Sequence, residues 1–120
     1  MTISIRALAS GEEVVGFDSG NDDLNRFLKK YAARNQYQLH IGVTYVAEAE
    51  GQIRGFATIA PGSVQAGDLP LSRSRKLPAY PLPILRLARL AIDRRRQRKG
   101  VGSAIVRFVF LKALEMTEKY

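Results

Sequence analysis

Apolar and polar residues alternate through Ile3-Ser4-Ile5-Arg6-Ala7-Leu8, the period of a half-buried strand. Asp18-Ser19-Gly20-Asn21-Asp22-Asp23 is a cluster of turn and cap residues. Beyond it, Leu24, Phe27, Leu28, Tyr31 and Ala32 recur at helical spacing. The pattern predicts a helix from Asp22 to Tyr37, with its acids at the start and its bases later, as the helix dipole favours. Two strands are expected next. Ile41 to Ala49 places Ile41, Val43, Tyr45 and Ala47 on one face, and Ile53 to Ala60 follows after a tight turn at Glu50-Gly51. All five prolines fall between Pro61 and Pro83, a stretch that reads as a loop, either functional or a flexible insertion. The mainly apolar run Ile84 to Asp93 reads as an interior strand. A basic stretch from Arg94 to Lys99 then leads through Gly100 into a helix over Val101 to Met116. That helix is apolar almost all round and calls for cover on more than one side.

Composition adds limits. With 120 residues and 46% apolar content, the expectation is one domain over residues 1–120 with a single modest core. The chain has no cysteine, which excludes disulfides, thiolate metal sites and a cysteine nucleophile; no metal is implied. The opening Met1-Thr2-Ile3-Ser4-Ile5-Arg6 lacks the basic and apolar regions of a secretory signal, and no apolar stretch is of membrane-spanning length. A soluble, cytoplasmic protein is therefore expected, with no membrane partner. Nineteen Lys and Arg against eleven acids give a net charge of +8, which suits polyanions such as RNA, DNA, anionic lipid or a phosphorylated cofactor without choosing among them.

Candidate chemistry concentrates in Leu90-Ala91-Ile92-Asp93 followed by Gln97-Arg98-Lys99-Gly100-Val101-Gly102-Ser103. A strand there feeds a glycine-containing loop whose amides open a helix, an arrangement that favours anions. Gly100 and Gly102, lacking Cβ atoms, would let the backbone approach a phosphate closely. Spacing separates the motifs that share this logic. No glycine is followed by Lys, as a Walker A loop requires, and Ile105 stands where a dinucleotide fingerprint needs its third glycine. What remains is Gln/Arg-x-x-Gly-x-Gly/Ala, matched by Gln97 to Gly102. The plain alternative is that both glycines merely serve a turn.

With this motif the sequence resembles the GNAT acetyltransferase superfamily. Phe17-Asp18-Ser19-Gly20-Asn21, Leu24-Asn25-Arg26-Phe27-Leu28, Thr44-Tyr45-Val46-Ala47, Leu77-Pro78-Ala79-Tyr80-Pro81-Leu82-Pro83 and Arg89-Leu90-Ala91-Ile92-Asp93 are similar to the tRNA-acetylating GNAT toxins of bacterial toxin–antitoxin systems. The resemblance implies an α/β fold, a mixed, largely antiparallel sheet flanked by helices. It also implies an N-acetyltransferase moving acetyl from acetyl-CoA to a primary amine, the α-amino group of aminoacyl-tRNA. Acetyl-CoA would lie along Leu90, Ala91 and Ile92, with its pyrophosphate held by Arg98, Lys99, Gly100, Val101, Gly102 and Ser103. A ribbon–helix–helix antitoxin and a homodimer are the implied partners. GNAT chains continue past this helix, where a tyrosine usually acts as general acid. Here the fold is expected to be truncated at the C-terminus, Tyr120 is not assigned that role, and the catalytic residues stay unknown. A carboxylate base is commonly found about where Arg86 stands. The alternatives left open are a GNAT enzyme acting on a small amine or a protein N-terminus, and a truncated module that binds CoA or RNA without turnover. This chain on its own is expected to be inactive, unstable or self-associating.

Other residues have plainer readings. Arg94, Arg95 and Arg96, like Arg73, Arg75 and Lys76, read as a solvated loop or as a tRNA contact. Arg89 interrupts an apolar strand and calls for a partner, such as a carboxylate on a neighbouring strand. His40 reads as a cap or surface residue, Tyr45 and Phe56 as core or cleft lining, and Asp22 and Asp23 as helix caps.

Overall fold

The computed structural model describes residues 2–64, 82–97 and 99–119, with the backbone alone at 63–64, 82–83 and 116–119. Its strands are β1 (Ser4–Ala7), β2 (Val43–Ala49), β3 (Gln52–Val64) and β4 (Leu82–Ile92). They form one sheet in the order β1-β2-β3-β4, and every pairing among the described residues is antiparallel.

Between β1 and β2 runs one helical stretch with the predicted bounds. It consists of α1 (Asp22–Arg26), a π turn (Phe27–Tyr31) and α2 (Ala32–Tyr37). Asn21 is the N-cap, its side chain accepting from the Leu24 amide at 3.0 Å, while Asp22 and Asp23 occupy the first turn. The capping role expected of the two aspartates thus belongs to their neighbour, and they act through the helix dipole. In the π turn the Ala32 amide reaches back five residues to the Phe27 carbonyl. The stretch ends at His40, whose φ of +55° is a left-handed backbone and which is exposed, as expected of a helix terminus.

Helices cover both faces of the sheet. Val46 of β2, Phe56 of β3 and Ala91 of β4 pack under Phe27, Leu28 and Ala32, together with Leu8 and Val14. Ala47 and Ala57 point the other way and pack under Val101 and Ile105 of α3 (Val101–Lys119). Neighbours along a strand face opposite sides, so both sets are apolar, and β2 does not show the polar face of a half-buried strand. Ile41 lies before β2 and is exposed, outside the face predicted for it. Tyr45 packs its ring on Phe108 of α3 at 4.8 Å.

One expectation is corrected, the loop from Pro61 to Pro83, because β3 continues to Val64 and β4 starts at Leu82, with Pro61 opposite Leu85 and Ser63 opposite Pro83. Pairing with β2 ends at Ile59, so Pro61 lies where β3 has one neighbour, a position that tolerates proline. Pro70, Pro78, Pro81, Arg73, Arg75 and Lys76 lie outside the described residues. β4 pairs with β3 alone among the described residues, and residues 86–90 are exposed, so the second neighbour expected of an interior strand is not among them. An apolar run records the residues' preference for burial and carries no information on which neighbours pair with it.

The β2–β3 turn is the tight one predicted. Glu50 and Gly51 have φ of +54° and +73°, the two left-handed positions of a two-residue hairpin turn. One bulge follows, with Arg54 as the extra residue between the Glu48–Ile53 and Ala47–Gly55 pairs. A second bulge lies in β4 at Ala88, between Arg89 opposite Thr58 and Leu87 opposite Ile59. Bulges re-aim the side chains beyond them, here Arg89 to Ile92.

Candidate acetyl-CoA site

The last residues of β4 lie at the junction of both helical layers. Ala91 is buried on the α1–α2 side, Ile92 packs toward α3, and Leu90 is partly exposed at 36%. Leu90, Ala91 and Ile92, with Ser19, Leu24 and Gln97, line an open hollow of about 300 Å³. Past Ile92 the chain makes a 3-10 turn at Arg94–Arg96 and reaches α3 through Lys99 and Gly100. Arg98 lies outside the described residues.

Asp93 fixes that turn. Its carboxylate is 1% exposed and accepts from the Arg95 amide at 3.0 Å, Arg95 Nε at 3.0 Å, Arg95 Nη2 at 2.9 Å and the Asp18 amide at 3.3 Å. The Arg95 guanidinium is the main reason its pKa falls to about 2. Asp18 completes the tie. Its carbonyl accepts from the Arg94 amide at 2.8 Å, and its carboxylate meets Arg94 Nε at 3.2 Å. The Gly20 amide, then Asn25, holds the Asp18 pKa below the usual carboxylate value. Arg95 Nη2 also donates to the Gly16 carbonyl at 2.7 Å. The segment entering α1 and the segment leaving β4 are therefore joined through both backbone and side chains. Arg94 and Arg95 are 65% and 62% exposed, as expected of a solvated loop, and each also has a carboxylate partner, because Asp18 and Asp93 fold against the turn.

Among the described residues, nothing caps the opening of α3. The first bond of the helix runs from the Ala104 amide to the Gly100 carbonyl at 3.0 Å, so the amides of Val101, Gly102 and Ser103 precede any intrahelical acceptor. Gly100 stands at the capping position, where it has no side chain to take them up. Its φ of +85° is the left-handed backbone that suits glycine, and a Cβ there would meet nothing within 4 Å. Lys99 and Ser103 are exposed beside it. A short stretch of chain thus presents free backbone donors and a cation at a helix N-terminus, a geometry that receives an anion. The structure brings together Leu90, Ala91, Ile92, Lys99, Gly100, Val101, Gly102 and Ser103 at the end of β4 and the start of α3.

Residues 6–118 match the family described as acetyltransferase (GNAT) family. The chain belongs to that family. Among curated relatives, it is 35% identical over 102 residues to the "tRNA-acetylating toxin" of Mycobacterium tuberculosis, covering 85% of this chain and 60% of that protein. Two solved structures share the GNAT fold with it. "AtaT complexed with acetyl-methionyl-tRNAfMet" is 28% identical with a TM-score of 0.77, over 90% of this chain and 66% of that one. "Crystal structure of AtaTR bound with AcCoA" is 26% identical with a TM-score of 0.79, over 98% and 72%. The chain thus spans about three fifths of the length of the curated GNAT relative.

Several residues at this site carry no role that the sequence alone reveals. Asp93 and Asp18 are visible there only as parts of family-like strings, and Ser19 and Leu24 only as cap and helix residues. Gly55 is the least visible. A Cβ there would come within 2.9 Å of Ile92 Cδ1 and 3.1 Å of the Ala91 carbonyl oxygen, so its bareness lets α3 and β4 close over β3. Arg89 does have a partner, but the expected carboxylate is replaced by an aromatic face: its guanidinium lies 4.0 Å over the Phe27 ring. A cation over a ring keeps its hydration on the outer side, so an exposed strand position satisfies it. Arg86 is exposed, and among the described residues no group of three His, Asp or Glu is placed to hold a metal. No helix of the described residues is long and apolar enough to cross a membrane.

Proposed function

We propose that this chain is the acetyl-CoA-binding part of an N-acetyltransferase whose acceptor is the α-amino group of aminoacyl-tRNA. The observation that carries the reading is the α3 N-terminus, uncapped among the described residues, reached by a short turn from the edge of β4 that has no partner strand among them. The residues fit acetyl-CoA. The amides of Val101, Gly102 and Ser103, with Lys99 and Arg98, would hold the pyrophosphate, and Gly100 keeps the approach clear. Along the Leu90–Ile92 edge, the backbone groups of Leu90 and Ile92 that point away from β3, unpaired among the described residues, would bond the pantetheine amides. When bound, acetyl-CoA supplies an activated thioester. The chain's own contribution is to fix that ligand along the β4 edge while the amine is presented neutral beside it. No side chain here is assigned as general acid or base.

The tRNA acceptor is supported by the relatives, one named a tRNA-acetylating toxin and one seen with an acetylated methionyl-tRNA. The net charge of +8 agrees with a polyanionic acceptor. On this reading the protein is a translation-blocking toxin of the cytoplasm, works as a homodimer and is held in check by a ribbon–helix–helix antitoxin.

The test is transfer of radiolabelled acetyl from acetyl-CoA to charged tRNA, to free amino acids and polyamines, and to peptide N-termini. Label on the charged tRNA alone supports the reading. Label on small amines or peptides alone leaves an acetyltransferase and removes the toxin. Acetyl-CoA binding without transfer to any acceptor leaves a non-catalytic CoA-binding module.

A further inference from the structure

The basic residues of this chain are not evenly neutralised. Arg6 is engaged by Glu12 and Glu48, Arg94 by Asp18 and Arg95 by Asp93. The helical stretch is different. From Leu24 to Ala47 the sequence contains no Asp or Glu, yet it carries Arg26, Lys29, Lys30 and Arg34. All four are exposed; Arg26 has a loose pairing with Asp23 at 3.4 Å, and no carboxylate meets the other three among the described residues. The π turn spans Lys29 and Lys30, while Phe27, Leu28 and Ala32 are buried. Arg26, Lys30 and Arg34 recur every four residues, so they follow one line along the helix surface.

We propose that this outward face, with Lys29, Lys30 and Arg34 as its principal contacts, is where the phosphodiester backbone of the acceptor RNA docks; the inference rests on the RNA-acceptor reading above. Its place in the fold suits the task. Leu24, at the start of the same stretch, lines the hollow with Leu90, Ala91 and Ile92, and Phe27 carries the Arg89 guanidinium on its ring. An RNA lying on the cations would thus have its end beside the edge along which acetyl-CoA is proposed to bind. A membrane is a poorer match. An interfacial helix inserts its apolar face, and here that face is consumed by the sheet.

The experiment uses the whole protein with Lys29→Gln, Lys30→Gln and Arg34→Gln combined, and Arg107→Gln on α3 as a control at another exposed cation. Binding to a charged tRNA whose aminoacyl bond is non-hydrolysable is titrated over a range of salt, beside acetyl-CoA affinity and acetylation of charged tRNA. The expected result is a slope of log K against log salt shallower by about one for each phosphate ion pair removed, and a KM for charged tRNA roughly tenfold higher. Acetyl-CoA affinity and the far-ultraviolet circular dichroism stay as in wild type, and the control keeps the wild-type slope. If wild type acetylates charged tRNA and the triple variant matches it in slope and KM, the surface is wrong while the acceptor reading stands. If wild type acetylates only small amines, the acceptor reading fails, and direct RNA binding decides the surface. No RNA binding by wild type, or equal binding by the variant, then overturns it. Loss of binding to phosphatidylglycerol vesicles or to polyglutamate, with RNA binding unchanged, assigns the face to another partner and overturns it too.

Discussion

The Arg95 guanidinium grips the Asp93 carboxylate with Nε at 3.0 Å and Nη2 at 2.9 Å, and the Arg95 amide donates to the same group. Three donors from one neighbour hold the acid ionised, with a folded pKa of about 2 against an ordinary 3.8. A depressed folded pKa gives stability that is fully present above the unfolded value and is lost as pH falls through the folded one. The shift is equivalent to at most about 2.5 kcal/mol, and less because Arg95 is largely exposed to screening solvent. The stability gap between wild type and Asp93→Asn, read from urea unfolding, should be widest near neutral pH and close between about pH 4 and pH 2. A gap that holds constant across that interval would remove the carboxylate's charge as the cause.

Gly100 and Gly102 should separate folding from ligand approach. A Cβ at Gly102 would meet Ile92 at 3.7 and 3.8 Å, ordinary van der Waals distances, and the position is helical. Gly102→Ala is therefore expected to leave the fold intact and to add up to about 1 kcal/mol of stability. Acetyl-CoA affinity should stay near wild type, because that methyl faces Ile92 and the motif itself admits Ala at this position. Gly100→Val puts a bulky side chain into the open approach to the helix amides at a left-handed φ of +85°, and should reduce both stability and affinity. Unchanged acetyl-CoA affinity of Gly100→Val in calorimetric titration would remove the proposed pyrophosphate cradle.

Gly55 tests how closely α3 must sit. Its would-be Cβ lies 2.9 Å from Ile92 Cδ1, 3.0 Å from Ile105 Cδ1 and 3.1 Å from the Ala91 carbonyl oxygen. Two of these are side-chain tips that can shift, but the third is backbone of β4. Gly55→Ala should destabilise by about 1–3 kcal/mol through overpacking. It should also weaken acetyl-CoA binding, since it pushes apart the strand and the helix that flank the site. Equal stability of the variant and wild type in denaturant titration would show that the interface gives way freely.

These residues also mark what the sequence made legible. The helix over Asp22–Tyr37, the Glu50-Gly51 turn and the strand–loop–helix order around Gly100 follow from periodicity and from turn and cap chemistry, which are local. The π turn is not legible, because one extra residue in a hydrogen-bonded ring leaves no compositional trace. The extension of β3 past Pro61 is hidden for a different reason. Whether proline fits a strand depends on how many neighbours the strand has at that point, and the end of β2 at Val43 decides that. The edge position of β4 among the described residues and the Arg89–Phe27 contact are likewise set between elements far apart in sequence. Asp93 reads as an ordinary strand end, and only the fold brings the Asp18 amide to it.

The outer face of α3 yields the last prediction. Val106, Phe110 and Leu114, at four-residue spacing, are 49%, 62% and 44% exposed, and Leu111 beside them is 53% exposed. Four large apolar side chains on one side of one helix exceed the scattered exposure normal for a surface, and such a stripe favours association. The inner side of the helix is already satisfied by Val101 and Ile105 against Ala47 and Ala57, so the outer residues contribute little to holding the chain's own fold. This chain should therefore self-associate with rising concentration in sedimentation velocity. Phe110→Asp should shift it toward monomer while changing unfolding stability by less than about 0.5 kcal/mol, as expected for a surface change. Leu28→Asp, on the buried side of the α1–α2 stretch, is the contrasting variant and should unfold the protein outright. A wild-type chain that stays monomeric at high concentration, or a Phe110→Asp variant that associates as strongly, would show that this stripe does not drive association.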